Sequence, residues 1–208
     1  MKSLILDFIG VVADPDYIKL ILDLPLTQKF SALRIFLSLK KFPIIKESFN
    51  QYQLGEINAR QFEKKVKEVL PNSAYVIPSL LERFPSYISV NEEVISLAYN
   101  LRKMGIRTFL MSNAIPETEI VMNKYDLSYA FEGLLLSNHL GLMKPNEEIY
   151  RFAIETYGLD PTKTVMIDDT KRNLLAAEQF GIKTIRCKNS NEVCNELKKY
   201  LCFNNKTY

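Results

Sequence analysis

Histidine occurs once in the 208 residues, at His139, and cysteine three times, at Cys187, Cys194 and Cys202. The cysteines lie near the C-terminus without CxxC spacing and without a neighbouring histidine, which excludes a recognisable zinc site and leaves buried thiols as the expectation. No stretch approaches the roughly 18 consecutive apolar residues of a membrane span. The opening "MKSLILDF" has one lysine and a short apolar run but no small-residue cleavage site, and an aspartate interrupts it at once. It does not read as a secretory signal, so a cytoplasmic protein with no membrane partner is expected. Internal repeats, low-complexity tracts and basic runs are missing too. The 27 basic and 24 acidic residues are scattered and leave a net charge of only +3, which argues against a nucleic-acid partner. The lone His139 is expected to be a loop or strand-end polar residue rather than a catalytic one.

What is present suits a soluble globular protein. Hydrophobic residues make up 47% and charged residues 25% of the chain, and its length accommodates one core domain with one insertion. "SLILDFIGVV" is a continuous apolar run broken by Asp7 and Gly10, short enough for a strand buried on both faces of a parallel sheet. "RTFLMSN" at 107–113, "FEGLLLSN" at 131–138, "KTVMIDD" at 163–169 and the shorter "IKTIRC" at 182–187 resemble it. Helical patterns separate the later runs and stop at glycine: "NEEVISLAYNLRKMG" at Gly105, "NEEIYRFAIETYG" at Gly158 and "KRNLLAAEQFG" at Gly181. Such alternation predicts an α/β fold built on a doubly wound parallel sheet.

Residues 15–88 break that grammar. They hold long helical patterns, "QKFSALRIFLSLKKF" and "NARQFEKKVKEVL", without a convincing buried strand, and read as a helical insertion. In "QLGEINARQF", Gly55 is placed to end one helix and Asn58 to cap the next. The expected organisation is a core of 1–14 plus 89–208 and a helical domain of 15–88. The insertion's aromatics, including Phe36, Phe42, Phe49, Tyr52 and Phe62, are expected to be mostly core, with one or two facing the crevice.

Ligands of open α/β sheets gather at the carboxyl ends of the strands. Asp7, Ser112 with Asn113, and Asp168 with Asp169 each fall at such an end, and Lys144 in "GLMKPNEEIY" lies just ahead of a helix. Each alone has an ordinary use, as a cap, a helix-dipole partner or a solvated lysine. Together they allow covalent chemistry. A carboxylate can attack phosphorus to form an acyl-phosphate, and the charge that builds up calls for a divalent cation and a lysine. Asp7 with one or both of Asp168 and Asp169 suits Mg²⁺, Ser112 or nearby backbone N–H groups suit a phosphate oxygen, and Lys144 suits charge neutralisation.

In this order the residues resemble the haloacid dehalogenase superfamily. "LILDFIGVV" looks like its nucleophile strand, "FLMSNA" its second motif, "GLMKP" its lysine motif and "VMIDDTKRNLLAAEQFG" its acidic metal motif, while "QLGEINARQF" looks like a phrase of the helical cap that one subgroup inserts after the first motif. The resemblance covers the chain up to about Asn189. It implies a Rossmann-like core with a helical cap, and Asp7 as nucleophile and Mg²⁺ ligand. It also implies that Ile9 offers its backbone carbonyl to the metal, Ser112 and Asn113 bind the transferring group, and Lys144 balances charge. Asp168 and Asp169 would hold Mg²⁺ directly or through water, and Asn173 would orient that loop. The implied substrate is a small phosphorylated metabolite such as a sugar phosphate.

Ile9 departs from the pattern. In the phosphatase branch that position is usually an aspartate acting as general acid/base, a contribution of roughly 10² to 10⁴-fold in rate. A phosphatase therefore works slowly, on esters whose leaving group needs little protonation, or with a substitute donor, Asp14 and Asp16 being near in sequence. The alternatives are a phospholigand-binding or regulatory protein without turnover, and a metal-independent 2-haloacid dehalogenase, whose halide leaves without a proton. Two adjacent acids at 168 and 169 favour metal and a phosphoryl substrate over the dehalogenase. The sequence leaves the oligomeric state open.

Overall fold

A computed structural model describes residues 1–204, apart from the side chains of 39–41 and 202–204; the expectation for the Cys202 thiol therefore lies outside the described residues. The chain runs through β1 (Ser3–Leu6), β2 (Ala13–Pro15), α1 (Tyr17–Leu22), α2 (Leu26–Lys41), α3 (Pro43–Gln53), α4 (Ala59–Val69), α5 (Ile77–Arg83), β3 (Ile88–Val90) and α6 (Glu92–Lys103). It continues through β4 (Arg107–Ser112), α7 (Pro116–Lys124), β5 (Gly133–Leu136), α8 (Ser137–Leu140), α9 (Glu147–Tyr157), β6 (Thr164–Asp168), α10 (Lys171–Glu178), β7 (Lys183–Arg186) and α11 (Ser190–Asn204).

Five strands form one parallel sheet in the order β5-β4-β1-β6-β7. Strand alternation explains why its central runs are apolar throughout: successive side chains point to opposite faces, and helices cover both. Leu4, Leu6, Leu110, Val165 and Ile167 pack on one face with α6 and α11 residues such as Val94, Ala98, Val193 and Leu197. Ile5, Phe109, Met111 and Met166 pack on the other with Ile149, Tyr150 and Ala153 of α9 and Leu174 and Ala177 of α10. Both faces are filled, so polar groups have an outlet only at the strand ends.

The first run is strand for a shorter distance than its apolar length suggests. After Leu6 the chain turns: the Phe8 carbonyl accepts from the N–H groups of Val12 at 2.9 Å and Ala13 at 2.8 Å, and Gly10 takes φ 85°, which a glycine adopts without strain. "FEGLLLSN" is likewise strand only over Gly133–Leu136, since Ser137 and Asn138 begin a helical turn.

The stretch 15–88 is helical apart from its two ends, where β2 and β3 pair antiparallel, Asp14 opposite Ser89. This ribbon leaves no local signal, because three-residue strands carry too little periodicity and one of them contains Pro15. Gly55 follows α3 at φ 72°, and Asn58 caps α4 reciprocally with Gln61, their side chains and backbone N–H groups bonding at 3.0 and 2.8 Å. Of the aromatics expected to be mostly core, Tyr52 and Phe62 are buried, Phe36 and Phe49 half-buried, and Phe42 is exposed. Cys187 is buried and Cys194 half-buried, both free. No helix among the described residues is long and apolar enough to cross a membrane.

Replacing Asn58 by Ala removes one half of the reciprocal cap. A loss of about 1 kcal/mol is expected in urea unfolding, and Asn58→Asp, which keeps the acceptor oxygen, should recover most of it.

Candidate active site

Parallel pairing puts Leu6 level with Ile167 and Leu110, so the residues that follow, Asp7 after β1 and Asp168 at the end of β6, emerge side by side, with Ser112 closing β4 next to them. Lys144 arrives from the connection between α8 and α9 and is 1% exposed, the opposite of a solvated lysine. Its Nζ lies 2.8 Å from Asp7 Oδ1 and 2.7 Å from Asp168 Oδ2. A buried ammonium is tolerable only with such partners, and here it has two.

Each partner is held in turn. Asp7 Oδ1 also accepts the Phe8 N–H at 2.6 Å, while no hydrogen bond among the described residues engages Oδ2. Asp168 Oδ1 accepts from the Thr170 N–H at 2.8 Å and from Asn173 Nδ2 at 3.1 Å, and its Oδ2 accepts from Lys144 and, at 3.1 Å, from the same Asn173 nitrogen. Its four acceptor positions are thus occupied. Tyr150 secures that turn by donating to the Asn173 carbonyl at 2.9 Å. Asp169 is half-buried, with one oxygen accepting the Thr170 hydroxyl at 2.9 Å and its backbone carbonyl accepting from Arg186 Nε at 3.0 Å. Gly10 is the residue that lets the β1 loop pass this close: a Cβ there would fall 2.9 Å from Asp169 Cγ.

Charge in the cluster does not balance. Asp7, Asp168 and Asp169 each place a carboxylate oxygen within 4.8 Å of the others, against one ammonium. Burial pushes the Asp7 carboxyl up to about 7, opposed by Lys144 and reinforced by Asp168. Burial likewise raises Asp169. For Lys144 burial alone would lower the pKa, but the two carboxylates outweigh it and hold the ammonium above its ordinary value. Three clustered carboxylates with excess negative charge and oxygen-only donors fit a hard divalent cation. The Ile9 carbonyl accepts no hydrogen bond among the described residues and stands at the same loop.

Ser112 is buried at 2% exposure, and its hydroxyl has no hydrogen-bond partner among the described residues. Asn113 is engaged differently from its expected role on the transferring group: its Nδ2 donates to the Lys144 carbonyl at 2.7 Å and its Oδ1 accepts the Lys144 N–H at 2.8 Å. That reciprocal pair fixes the backbone from which the ammonium reaches inward. Gln53, at the end of α3, donates to the Asn113 carbonyl at 3.1 Å, and its own carbonyl accepts from Ser137 Oγ at 2.6 Å. Such a link between residues far apart in sequence leaves no local pattern. The nearby acids are occupied elsewhere: Asp14 accepts the Ser190 N–H at 3.2 Å and Asp16 caps α1 through Lys19 N at 2.9 Å. His139 sits on the surface, 2.9 Å from Glu119.

A model of the haloacid dehalogenase-like hydrolases matches residues 1–181. The chain is 26% identical to bifunctional epoxide hydrolase 2 of Rattus norvegicus over 160 residues, 74% of this chain but only 29% of that protein. It is 23% identical to the D-ribitol-5-phosphate phosphatase of Bacteroides thetaiotaomicron across 95% of this chain and 97% of the relative. The fold superposes on a HAD family enzyme from the same bacterium, crystallised with magnesium and inorganic phosphate, with a TM-score of 0.71 at 22% identity, covering 89% of this chain and 93% of that one.

Removing the ammonium should leave two facing carboxylates without their cation. Lys144→Met is expected to lower stability by about 3–5 kcal/mol in denaturant unfolding at neutral pH, far more than a surface Lys→Met change such as Lys64→Met.

Proposed function

The chain belongs to the haloacid dehalogenase-like hydrolase family, and from that premise we propose that it is a Mg²⁺-dependent phosphatase acting on a small phosphorylated metabolite through an aspartyl-phosphate at Asp7. The observation that carries the reading is the buried Lys144 ammonium, 2.8 Å from Asp7 and 2.7 Å from Asp168, beside a third carboxylate at Asp169. These are the groups needed where an anionic nucleophile meets an anionic substrate. Likeness to a D-ribitol-5-phosphate phosphatase over nearly its whole length, and to an enzyme crystallised with magnesium and phosphate, supports it.

Asp7 Oδ1 is anchored by Lys144 and the Phe8 N–H, which leaves Oδ2 to attack phosphorus. The bond from phosphorus to the leaving oxygen breaks, its electron pair departs with that oxygen as an alkoxide or aryloxide, and the proton that completes the alcohol comes from solvent, to which the water of the next step returns one. Water then attacks the phosphorus of the acyl-phosphate, the bond to Asp7 breaks, and inorganic phosphate leaves with the carboxylate restored. Lys144 offsets charge on nucleophile and phosphoryl group, the Ser112 hydroxyl donates to a phosphoryl oxygen, and Asn113 positions Lys144. Mg²⁺ would be held by Asp7, Asp169 and the Ile9 carbonyl, with the saturated Asp168 acting through water or through Lys144, and it would supply charge neutralisation between carboxylate and phosphate. Residues 15–88 serve as the cap that excludes bulk water.

Ile9 supports a second reading, binding of a phosphorylated ligand without turnover. With Asp14 and Asp16 committed to backbone N–H groups, no acid near it in sequence stands ready to protonate the leaving oxygen.

p-Nitrophenyl phosphate separates the two, because its leaving group departs with little need of a proton. Turnover that requires Mg²⁺ and is lost in Asp7→Asn is expected; phosphate binding by calorimetry without any turnover would instead favour the binding protein. For an alkyl ester, whose leaving group does need a proton, Ile9→Asp should raise kcat by about 10²-fold or more, and no gain would mean that another group already supplies it.

A further inference from the structure

A cavity of 640 Å³ opens among the inserted helices, within the ~300–1,000 Å³ range of small-molecule sites. Each of α1 to α5 contributes to its wall, through residues such as Tyr17, Ile35, Phe49, Phe62 and Leu80. Among its lining side chains only Tyr17 carries a polar atom.

Two features join this cavity to the acidic cluster. Ile115, also in its wall, lies three residues after Ser112 on the same loop, where it is buried at 6% exposure. Tyr17 bridges the two environments: its ring packs edge-on to Phe36 at 5.5 Å and stacks on Phe84 at 5.9 Å, while its hydroxyl, raised first by burial, also feels the Asp169 carboxylate. Leu37 also lines the cavity yet is 57% exposed, so the wall stays apolar to its mouth.

Resting on the phosphatase reading, we propose that the substrate is a phosphate monoester of an apolar alcohol, its phosphate at Asp7, Ser112 and Lys144 and its aliphatic or aromatic part in this cavity. A sugar or polyol would bring a hydroxyl on nearly every carbon, and apart from one that met the Tyr17 hydroxyl each would lose water without finding a side-chain donor or acceptor in the wall. A hydrocarbon chain loses nothing there and gains with every methylene removed from water.

The test is a series of n-alkyl phosphates from methyl to octyl, with glucose 6-phosphate as polar comparator, assayed with Mg²⁺ by phosphate release. kcat/KM should climb about fourfold per methylene until the cavity is full, and exceed that for glucose 6-phosphate. Phe36→Ser and Phe49→Ser, both at half-buried positions and checked for folding by circular dichroism, should each lower the octyl-to-methyl ratio about tenfold or more. A flat series, a preference for glucose 6-phosphate, or an unchanged ratio in the folded variants overturns the proposal while leaving the phosphatase reading intact. If no alkyl ester is hydrolysed, p-nitrophenyl phosphate decides the phosphatase reading, and calorimetry with methylphosphonate and octylphosphonate decides the cavity. Tighter octylphosphonate binding that Phe49→Ser weakens sustains an apolar-tail site, and equal affinities overturn it.

Discussion

A single buried ammonium, that of Lys144, sets the terms for everything around it. Desolvating a cation is tolerable only where opposite charge meets it at hydrogen-bond distance, and the sheet supplies this by ending β1 and β6 in register so that Asp7 and Asp168 converge. The carboxylates need the lysine as much as the lysine needs them. Around this triad the neighbouring donors other than the Ser112 hydroxyl are committed: Asn113 to the Lys144 backbone, Thr170 and Asn173 to Asp168, Phe8 to Asp7. Such a network holds geometry tightly, because moving one member strands another without a partner in a low-dielectric setting. It also concentrates more negative than positive charge, a state eased by a divalent cation, by protons or by both.

The scaffold explains why this network sits where it does. Helices on both sheet faces leave no room for charge among Leu4, Ile5, Phe109, Met166 and their neighbours, and the charged side chains buried among the described residues, Asp7, Lys144 and Asp168, gather at the carboxyl edge. Gly10 matters for a related reason. The loop after Asp7 must turn back within contact distance of Asp169, and a side chain there would occupy the space of that carboxylate. One residue without a Cβ thus keeps the first and last acids of the cluster within reach of one another.

Much of this is legible in the sequence itself, and the physics says which part. Strand runs buried on both faces, amphipathic helices and the glycines that end them are local signals, so the α/β class and the order of elements could be read along the chain. Asp7, Ser112, Lys144, Asp168 and Asp169 were recognisable because strand ends are where α/β sheets present chemistry, and the resemblance to a known family ordered them. What escaped depends on contacts distant in sequence. The amide of Asn113 is turned onto Lys144, Gln53 joins α3 to the loop after β4, and β2 pairs with β3 across the whole helical insertion. None of these leaves a periodicity or a motif, since a hydrogen bond between residues tens of positions apart constrains geometry without constraining the neighbouring sequence.

Ile9 takes on a different meaning in this setting. Its side chain packs against the same apolar cluster that runs through the inserted helices, so hydrocarbon surface extends to within two residues of Asp7. An aspartate there would be partly desolvated and its carboxyl raised, a condition that suits a general acid at neutral pH but that also puts a polar group against an otherwise apolar wall. Isoleucine exchanges proton transfer for continuity of that wall. The exchange favours esters whose leaving group tolerates departure without a proton and whose organic part gains from hydrophobic contact. In this view the anionic cluster binds whatever carries phosphate, and selection among phosphates falls to surfaces that hold no charge.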